Sequence, residues 1–218
     1  MGQFDRVPKV IFFDAVGTLF GVRGSVGQIY AEIAQLHGAK VDPVAVDDAF
    51  YAAFKTAPPM AFPGLPMEQR VNHEFEWWKA IARQTFATVG AIVQFSNFDH
   101  FFDHLYGHFA TAQPWFIYDD TVTTLHYWRT QGVEIGLISN FDSRIHPVLQ
   151  ALDLTPYFDS VTISTEVGAA KPRAAIFTAA LQKHNCAASQ AWHVGDSRRE
   201  DYEGAIAAGL RGIWLQRL

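Results

Sequence analysis

Apolar runs of two kinds divide the chain, and the first kind appears near its start. There, a continuous apolar run, Val10-Ile11-Phe12-Phe13, leads directly into Asp14, and Gly17 and Thr18 follow shortly after. A continuous run of this composition is typical of a central strand that is buried on both faces of a parallel sheet. Ligands of open α/β sheets lie just beyond the carboxyl ends of such strands. The pattern therefore predicts a buried strand that places Asp14 at a functional site.

The second kind of run has helical spacing and fills the next part of the chain. Apolar residues recur every three or four positions, which predicts four helices, at 25–38, 43–57, 67–89 and 97–110. Ser25 and Asp42 are suitable N-caps for the first two helices. We predict that residues 21–113 form one all-helical domain inserted after the first strand, with no strand inside it.

From Pro114 onward the pattern alternates between strands and helices. Strands are predicted at 133–138, 161–163, 191–194 and 212–215, and helices at 120–128, 141–152, 174–184 and 201–208. A run of alternating strands and helices predicts an α/β fold with a Rossmann-like parallel sheet and right-handed crossovers. The predicted α/β core therefore comprises residues 1–20 and 114–218.

Composition excludes several classes of protein. The 218 residues are 49% hydrophobic and carry a net charge of −5, which argues against a disordered chain and against partners such as nucleic acid or a membrane surface. The sequence has a single cysteine, Cys186, and its first residues lack the pattern of a signal peptide. We therefore expect a cytoplasmic protein, monomeric or homodimeric, that acts on a small molecule.

Polar residues follow the predicted strands at the places where the strands end. They are Asp14, Ser139, Lys171 in the loop after the third strand, and Asp196 with Asp201 five residues later. Because the carboxyl ends of parallel strands meet at one edge of a sheet, these side chains are expected to share one crevice. Carboxylates suit Mg²⁺, a hydroxyl and a lysine can hold phosphate oxygens, and an aspartate can attack phosphorus. The set therefore suits phosphoryl transfer, with Asp14 as the nucleophile.

In this order the residues resemble the haloacid dehalogenase-like hydrolase superfamily. Its four motifs match Phe13-Asp14 with Gly17-Thr18-Leu19, Ile138-Ser139-Asn140, Lys171-Pro172, and Gly195-Asp196-Ser197 with Asp201. The helical insert resembles the C1 cap of subfamily IA, which closes over the site and selects the substrate. Details at 15–18, 26–31 and 139–144 resemble the branch named after a rhythmically expressed gene, and the resemblance covers essentially the whole chain.

The resemblance implies a Mg²⁺-dependent hydrolase of a small phosphorylated metabolite that works through an aspartyl-phosphate. The implied catalytic residues are Asp14, Lys171 and Ser139, and the implied substrate-binding residues are Ser139, Asn140 and Lys171. The implied metal-binding residues are Asp14, Asp196, Asp201 and, through its backbone carbonyl, Val16. Asp201 is expected either to bind the metal or to support the metal and Lys171. The neighbouring Arg198, Arg199 and Glu200 are expected to be solvated surface charges, with contact between Arg198 and the ligand as the alternative.

Val16 departs from the family pattern, because family phosphatases carry a second aspartate at this position. That aspartate protonates the leaving group and later activates water, and valine can do neither. General acid–base catalysis is worth about 10²- to 10⁴-fold in rate. Ordinary alkyl phosphates are therefore expected to be poor substrates, whereas acyl or aryl phosphates, whose leaving groups have a low pKa, should be least affected.

Three interpretations follow from this departure. The first is a Mg²⁺-dependent phosphatase with restricted substrates or a replacement proton donor. The second is different chemistry at the same aspartate, either dehalogenation or phosphonate hydrolysis, and the latter relies on a lysine from the cap; the lysines there are Lys40, Lys55 and Lys79. The third is a non-catalytic protein that binds a phosphorylated ligand or a protein partner. The presence of Asp196 and Asp201 favours a metal and argues against dehalogenation.

Overall fold

The sheet at the centre of the molecule is the one that the sequence predicts. A computed structural model describes residues 7–217. In chain order the strands are β1 (Val10–Phe13), β2 (Phe20–Val22), β3 (Trp115–Ile117), β4 (Glu134–Ser139), β5 (Ser160–Ile163), β6 (Ala191–Gly195) and β7 (Arg211–Trp214). Five of them form one parallel sheet in the order β5-β4-β1-β6-β7. The predicted α/β fold with a parallel sheet is therefore confirmed.

Strand β1 lies at the middle of this sheet, and all four of its residues are buried. It pairs with β4 on one side and β6 on the other, so that Phe13 lies opposite both Leu137 and Val194. Asp14 follows directly at the carboxyl edge. The ends of β4 and β6, at Ser139 and Gly195, lie on either side of it. This strand order places three of the predicted motifs side by side.

Nine helices accompany the strands in the described part of the chain. They are α1 (Val26–Leu36), α2 (Pro43–Thr56), α3 (Met67–Thr88), α4 (Phe98–His108), α5 (Thr121–Thr130), α6 (Ile145–Ala151), α7 (Ser164–Val167), α8 (Ala174–Lys183) and α9 (Gly204–Ala207). The side chains of Ser25 and Asp42 accept hydrogen bonds from the first turns of α1 and α2, which confirms both predicted N-caps. Within residues 7–217, no helix is both long and apolar enough to cross a membrane.

Helices α1 to α4, which we call the cap, have a hydrophobic core of their own. Its centre is aromatic: Phe86 and Phe101 are fully buried, with ring centroids 5.0 Å apart, and Phe102 and Leu105 are almost completely buried beside them. Edge-to-face ring pairs of this kind add to the stabilisation that comes from burying apolar area. The crowded apolar positions that predicted these helices are therefore the positions that pack the cap.

We predicted that residues 21–113 contain no strand, and this prediction is wrong for the first two of these residues. Gly21 and Val22 belong to β2, which pairs antiparallel with β3 in a separate two-stranded ribbon. Gly21 lies opposite Phe116, and Val22 lies opposite Trp115. Strands of three residues are too short to show an alternating pattern, so the sequence carries no periodic signal for this ribbon.

Two predicted helices also differ from the structure. The helix predicted at 141–152 begins only at Ile145, because the Asp142 carboxylate accepts hydrogen bonds from the backbone and side chain of Arg144. The helix predicted at 201–208 is a π-helix at Arg198–Glu203 followed by the single turn of α9. Single-turn π-helices are rare and frequently occur at functional sites. Both irregular segments lie beside the strand ends that carry the motifs.

Candidate active site

Lys171 lies at the centre of the buried polar groups at the sheet edge. Its Nζ is 2.6 Å from Oδ1 of Asp14 and 2.6 Å from Oδ1 of Asp201, and it donates to the carbonyl of Ile138 at 2.9 Å. Burial alone would lower the pKa of Lys171, but the two carboxylates raise that pKa above its usual value. The lysine is therefore a fixed positive charge that joins the first and fourth motifs.

Asp201 supports Lys171 and has both of its oxygens occupied. Oδ1 accepts from Lys171 and lies 2.9 Å from Nε2 of His193, while Oδ2 accepts from the Ser197 amide at 2.9 Å. Burial works against ionisation, but Lys171 and His193 hold the pKa of Asp201 well below its usual range. A Cβ at position 195 would lie 2.1 Å from the Asp201 carboxyl carbon, which explains the glycine there. Of the two predicted roles for Asp201, the geometry favours the support of Lys171.

Asp14 and Asp196 present the oxygens that remain available. The Asp14 amide donates to the carbonyl of Val194 at 2.9 Å, which fixes the backbone. Its Oδ2 has no hydrogen-bond partner among residues 7–217, and the residue lines the central cavity. Burial raises the pKa of the Asp14 carboxyl, while the charge of Lys171 opposes that shift. Asp14 therefore directs one unpaired carboxylate oxygen toward the space where a substrate would bind.

The carboxylates of this site repel one another. One oxygen each from Asp14, Asp196 and Asp201 lies within 4.8 Å of the others. Burial, together with the charges of Asp14 and Asp201, raises the pKa of Asp196 to about 6. A cation held between the oxygens of Asp14 and Asp196 would reduce that repulsion, and hard oxygen donors are the ligands that Mg²⁺ prefers. The donor set therefore fits a magnesium ion.

Gly17 makes the close approach of Asp196 possible, and its replacement by alanine is expected to disturb the site. Its φ is +85°, and a Cβ there would lie 2.5 Å from Oδ2 of Asp196. The left-handed conformation alone costs about 1–2 kcal/mol for a residue with a side chain. We expect Gly17→Ala to lose more free energy of unfolding than this and to weaken any response to Mg²⁺, both measured by thermal unfolding.

Gly38→Ala is the matched control for this prediction. Gly38 has a φ of +87°, but a Cβ there would meet nothing within 4 Å. This variant should lose only the conformational contribution and keep the response to Mg²⁺. If the two variants behave alike, contact with Asp196 is not what requires glycine at position 17.

Ser139 and Asn140, the predicted substrate-binding residues, lie along the same cavity as Lys171. Ser139 ends β4 and is almost completely buried. The Asn140 side chain accepts from the Lys171 amide at 2.7 Å, and it donates to the Lys171 carbonyl at 3.1 Å and to Glu200 at 3.0 Å. Asn140 therefore holds the Lys171 loop against the end of β4, while Ser139 keeps its hydroxyl free of these contacts.

Glu200 is a site residue for which the prediction was wrong. It was expected to be a solvated charge, but it is half-buried, lines the cavity and accepts a hydrogen bond from Asn140. Burial raises the pKa of its carboxyl. The sequence signal was weak, because the π-helix that turns Glu200 inward has no characteristic residue pattern.

Three polar contacts between the cap and the loop after β4 hold the cap over the site. Trp78 Nε1 donates to Oδ2 of Asp142 at 2.6 Å. The hydroxyl of Ser143 donates to Oε2 of the buried Glu74 at 2.5 Å, and Arg144 donates to the Tyr106 carbonyl at 3.2 Å. These roles were not predicted, although three polar residues, Asp142, Ser143 and Arg144, follow closely after a buried strand.

The cavity under the cap has a volume of about 400 Å³ and begins at the carboxylates. Val16 lines it beside Asp14, at the position where the family's second aspartate would stand. Among residues 7–217, the cap contributes no lysine to the lining, and Lys79 is paired with Asp99 at 3.1 Å. The lysine-dependent phosphonate chemistry considered above therefore has no support here.

Comparison with known proteins agrees with this arrangement. A family model described as haloacid dehalogenase-like hydrolase matches residues 8–209. The haloacid dehalogenase-like hydrolase domain-containing protein 3 of Danio rerio is 32% identical over 213 residues, covering 97% of this chain and 87% of that protein. The rhythmically expressed gene 2 protein of Drosophila melanogaster is 30% identical over 209 residues, covering 92% and 80% respectively.

Solved structures share the fold at low sequence identity. A HAD phosphatase from Thermococcus onnurineus matches with a TM-score of 0.60 and 21% identity, covering 96% of this chain and 86% of that one. A dehalogenase with an intermediate complex matches with a TM-score of 0.70 and 16% identity, covering 97% and 86%. Because both chemistries occur on this fold, the choice between them depends on the site residues.

Proposed function

Because this chain belongs to the haloacid dehalogenase-like hydrolase family, we propose that it is a Mg²⁺-dependent phosphatase that forms an aspartyl-phosphate at Asp14. The observation that carries the proposal is the pairing of Lys171 with only one oxygen of Asp14. The other oxygen is left facing the cavity. A carboxylate held in this way can attack phosphorus, while the charge of the lysine opposes the rise in its pKa and the hydrogen bond keeps it aligned. The substrate is a small phosphorylated metabolite.

The charge balance of the site supports a bound cation. Four carboxyl groups, those of Asp14, Asp196, Glu200 and Asp201, line the cavity together with a single lysine, Lys171. A phosphate monoester would add further negative charge to a site that already has an excess of it. Mg²⁺, when bound, supplies positive charge that draws phosphoryl oxygens in and makes the phosphorus more electrophilic.

The residues that would hold the metal are Asp14, Asp196 and the backbone carbonyl of Val16. Lys171 and Ser139 hold phosphoryl oxygens, and charge that builds up on those oxygens in the transition state is stabilised by the lysine. Asp201 and Asn140 keep Lys171 in place. Asp14 attacks phosphorus, the leaving group departs, and water then hydrolyses the aspartyl-phosphate. Val16 cannot protonate the leaving group.

Val16 also gives a reason to consider a second function, a non-catalytic protein that binds a phosphorylated ligand. A binding protein would keep Lys171 and Ser139 but would not need a proton donor. The two functions differ in one observable, because only the phosphatase turns over acetyl phosphate, whose leaving group needs no proton donor. Steady-state hydrolysis of acetyl phosphate with Mg²⁺, and with EDTA in its place, therefore tests the proposal. Absence of turnover in a folded protein would favour the binding function.

Magnesium is expected to stabilise the protein against thermal unfolding. A ligand present at 100 times its Kd contributes about 2.7 kcal/mol to the free energy of unfolding. Asp196→Asn should lose this stabilisation, because it removes one of the charged oxygens that the metal would contact. Asp119→Asn, a change at an exposed carboxylate, is the control and should respond to Mg²⁺ like the wild type. An equal response in Asp196→Asn would contradict the assigned metal site.

A further inference from the structure

The side of the cavity formed by the cap has aromatic walls. Helices α1 to α4 contribute Tyr30, Phe50, Phe54, Trp78 and Tyr106, and Phe109 follows directly after α4. Phe54, which is 43% exposed, stacks with Trp78 at a centroid distance of 5.9 Å and with Phe50 at 5.8 Å. We propose that the group bound here is an aromatic ring and that the natural substrate is an aryl phosphate, the phosphate monoester of a phenol. This inference rests on the proposed phosphatase function.

The charge distribution along the walls supports an uncharged ring. Within residues 7–217, the cap contributes no Asp, Glu, Lys, Arg or His side chain to the cavity lining. Arg144 lines the cavity beside the aromatic walls, and its guanidinium is paired with Asp142 through Nε at 2.9 Å and Nη2 at 2.7 Å. A charged leaving group would lose its hydration here and find no free partner. Nucleotides, amino acids and bisphosphates are therefore poor fits.

The face of Arg144 adds to the aromatic surface. Its guanidinium carbon lies 3.7 Å from the centroid of the Tyr106 ring and 5.3 Å from that of Trp78. Since Asp142 already neutralises its charge, this planar group extends the flat wall. Flat groups stack favourably on aromatic faces and on guanidinium planes. A sugar, which needs several hydrogen-bond partners, would find few along this wall.

Two phenol hydroxyls in the wall make no hydrogen bond within residues 7–217, those of Tyr30 and Tyr106, and the Tyr106 hydroxyl is buried. Tyr30 is 3% exposed, and its ring packs against Phe50, Phe86 and Phe109. Burial raises the pKa of this phenol above its usual value, so that the hydroxyl keeps its proton and remains a donor. An oxygen or nitrogen substituent on the bound ring would supply the missing acceptor.

The size of the cavity suits this occupant. A cavity of about 150 Å³ in another protein holds benzene. The cavity here has a volume of about 400 Å³, which leaves room for a phosphoryl group at Asp14 and for one or two fused rings beyond it. An acetyl group would leave most of the aromatic surface without a contact.

The chemistry at Val16 leads independently to the same class of substrate. A phenol has a pKa of about 10, whereas the pKa of an alcohol is close to that of water, about 15.7. Phenolate is therefore the better leaving group. The Asp14 carboxylate forms a bond to phosphorus as the bond between phosphorus and the phenolic oxygen breaks, and phenolate leaves with the electron pair. Water then attacks phosphorus, which restores the carboxylate, and the two protons of that water end on phosphate and phenol. No step needs an acid at position 16.

Binding of the ring is tested with compounds that cannot be hydrolysed. Phenylphosphonate and methylphosphonate are compared as inhibitors of acetyl phosphate hydrolysis by the full chain with Mg²⁺. We expect phenylphosphonate to have an inhibition constant about 10- to 100-fold lower, because only its ring buries apolar area in the cavity. Equal inhibition by the two compounds would overturn the inference and leave the phosphatase function intact.

A pair of variants on helix α2 tests whether the aromatic walls cause the preference for phenylphosphonate. Phe54→Ala should reduce the preference for phenylphosphonate over methylphosphonate by about 2- to 10-fold, the contribution expected of one aromatic pair. Val44→Ala, a change at an exposed residue on the same helix that does not line the cavity, should leave the preference unchanged. A preference unaffected by Phe54→Ala would show that the ring binds elsewhere, which overturns the inference.

The leaving group is tested separately with two aromatic esters. Phenyl phosphate and benzyl phosphate both carry a ring, but only the first releases a phenolate. We expect kcat/KM to be at least about 100-fold higher for phenyl phosphate, the lower end of the effect of a general acid. Similar values for the two esters would overturn the assignment to phenols. If the folded protein hydrolyses neither of these esters nor acetyl phosphate, the phosphatase function itself fails.

Discussion

Asp14→Asn is expected to abolish Mg²⁺-dependent hydrolysis of acetyl phosphate and phenyl phosphate. Asparagine has nearly the same shape, but its amide cannot attack phosphorus. Loss of a catalytic nucleophile costs up to about 10⁶-fold in hydrolases that have been studied, and we expect at least about 10⁴-fold here. The variant should remain folded, because Lys171 keeps its 2.6 Å contact with Asp201. The measurement is steady-state kcat with each substrate, alongside a thermal unfolding curve.

Asp119→Asn is the matched control for this variant. It makes the same chemical change at an exposed aspartate away from the cavity, and should leave kcat unchanged. Residual turnover in Asp14→Asn close to that of the wild type would mean that another group, or water alone, attacks the substrate. The aspartyl-phosphate would then be excluded as the main route.

Val16→Asp is expected to raise the turnover of alkyl phosphates, which the wild type hydrolyses poorly. Val16 lines the cavity beside Asp14, so a carboxyl at this position would face the leaving group. General acid–base catalysis contributes about 10²- to 10⁴-fold, and the gain in kcat/KM for benzyl phosphate should fall in that range. Acetyl phosphate, whose leaving group needs no proton, should gain little. Initial rates on the two substrates measure the difference directly.

Val16→Asn distinguishes proton transfer from polarity. Asparagine has the size of aspartate and its hydrogen-bonding capacity but cannot donate and recover a proton in catalysis. It should therefore give no gain on benzyl phosphate. An equal gain in both variants would contradict the interpretation that the site lacks a general acid.

The sheet and the convergence of the motifs could be predicted because two physical rules act on short stretches of chain. A central strand is buried on both faces, so Val10–Phe13 appears as a continuous apolar run. Parallel strands bring their carboxyl ends to one edge, which predicts that Asp14, Ser139, Lys171 and Asp196 lie along one cavity. Neither rule requires knowledge of contacts between distant residues.

The features that were not predicted depend on contacts between residues that are far apart in the chain. Glu200 faces the cavity because a π-helix turns it inward, and Asn140 then donates to it from 60 positions away in the chain. The hydrogen bond from Trp78 to Asp142 likewise joins residues that lie 64 positions apart in the chain. The aromatic walls belong to helices whose periodicity shows which residues are buried, but not which buried rings leave a cavity between them.

Trapping the intermediate shows whether Asp14 receives the phosphoryl group. The wild-type protein with Mg²⁺ is mixed with acetyl phosphate, denatured in acid within the first turnovers, and digested for mass spectrometry. We expect a phosphoryl group on the peptide that contains Asp14, and none on that peptide in Asp14→Asn or when EDTA replaces Mg²⁺. A phosphoryl group on a different residue, or turnover without any phosphorylated peptide, would contradict this role of Asp14.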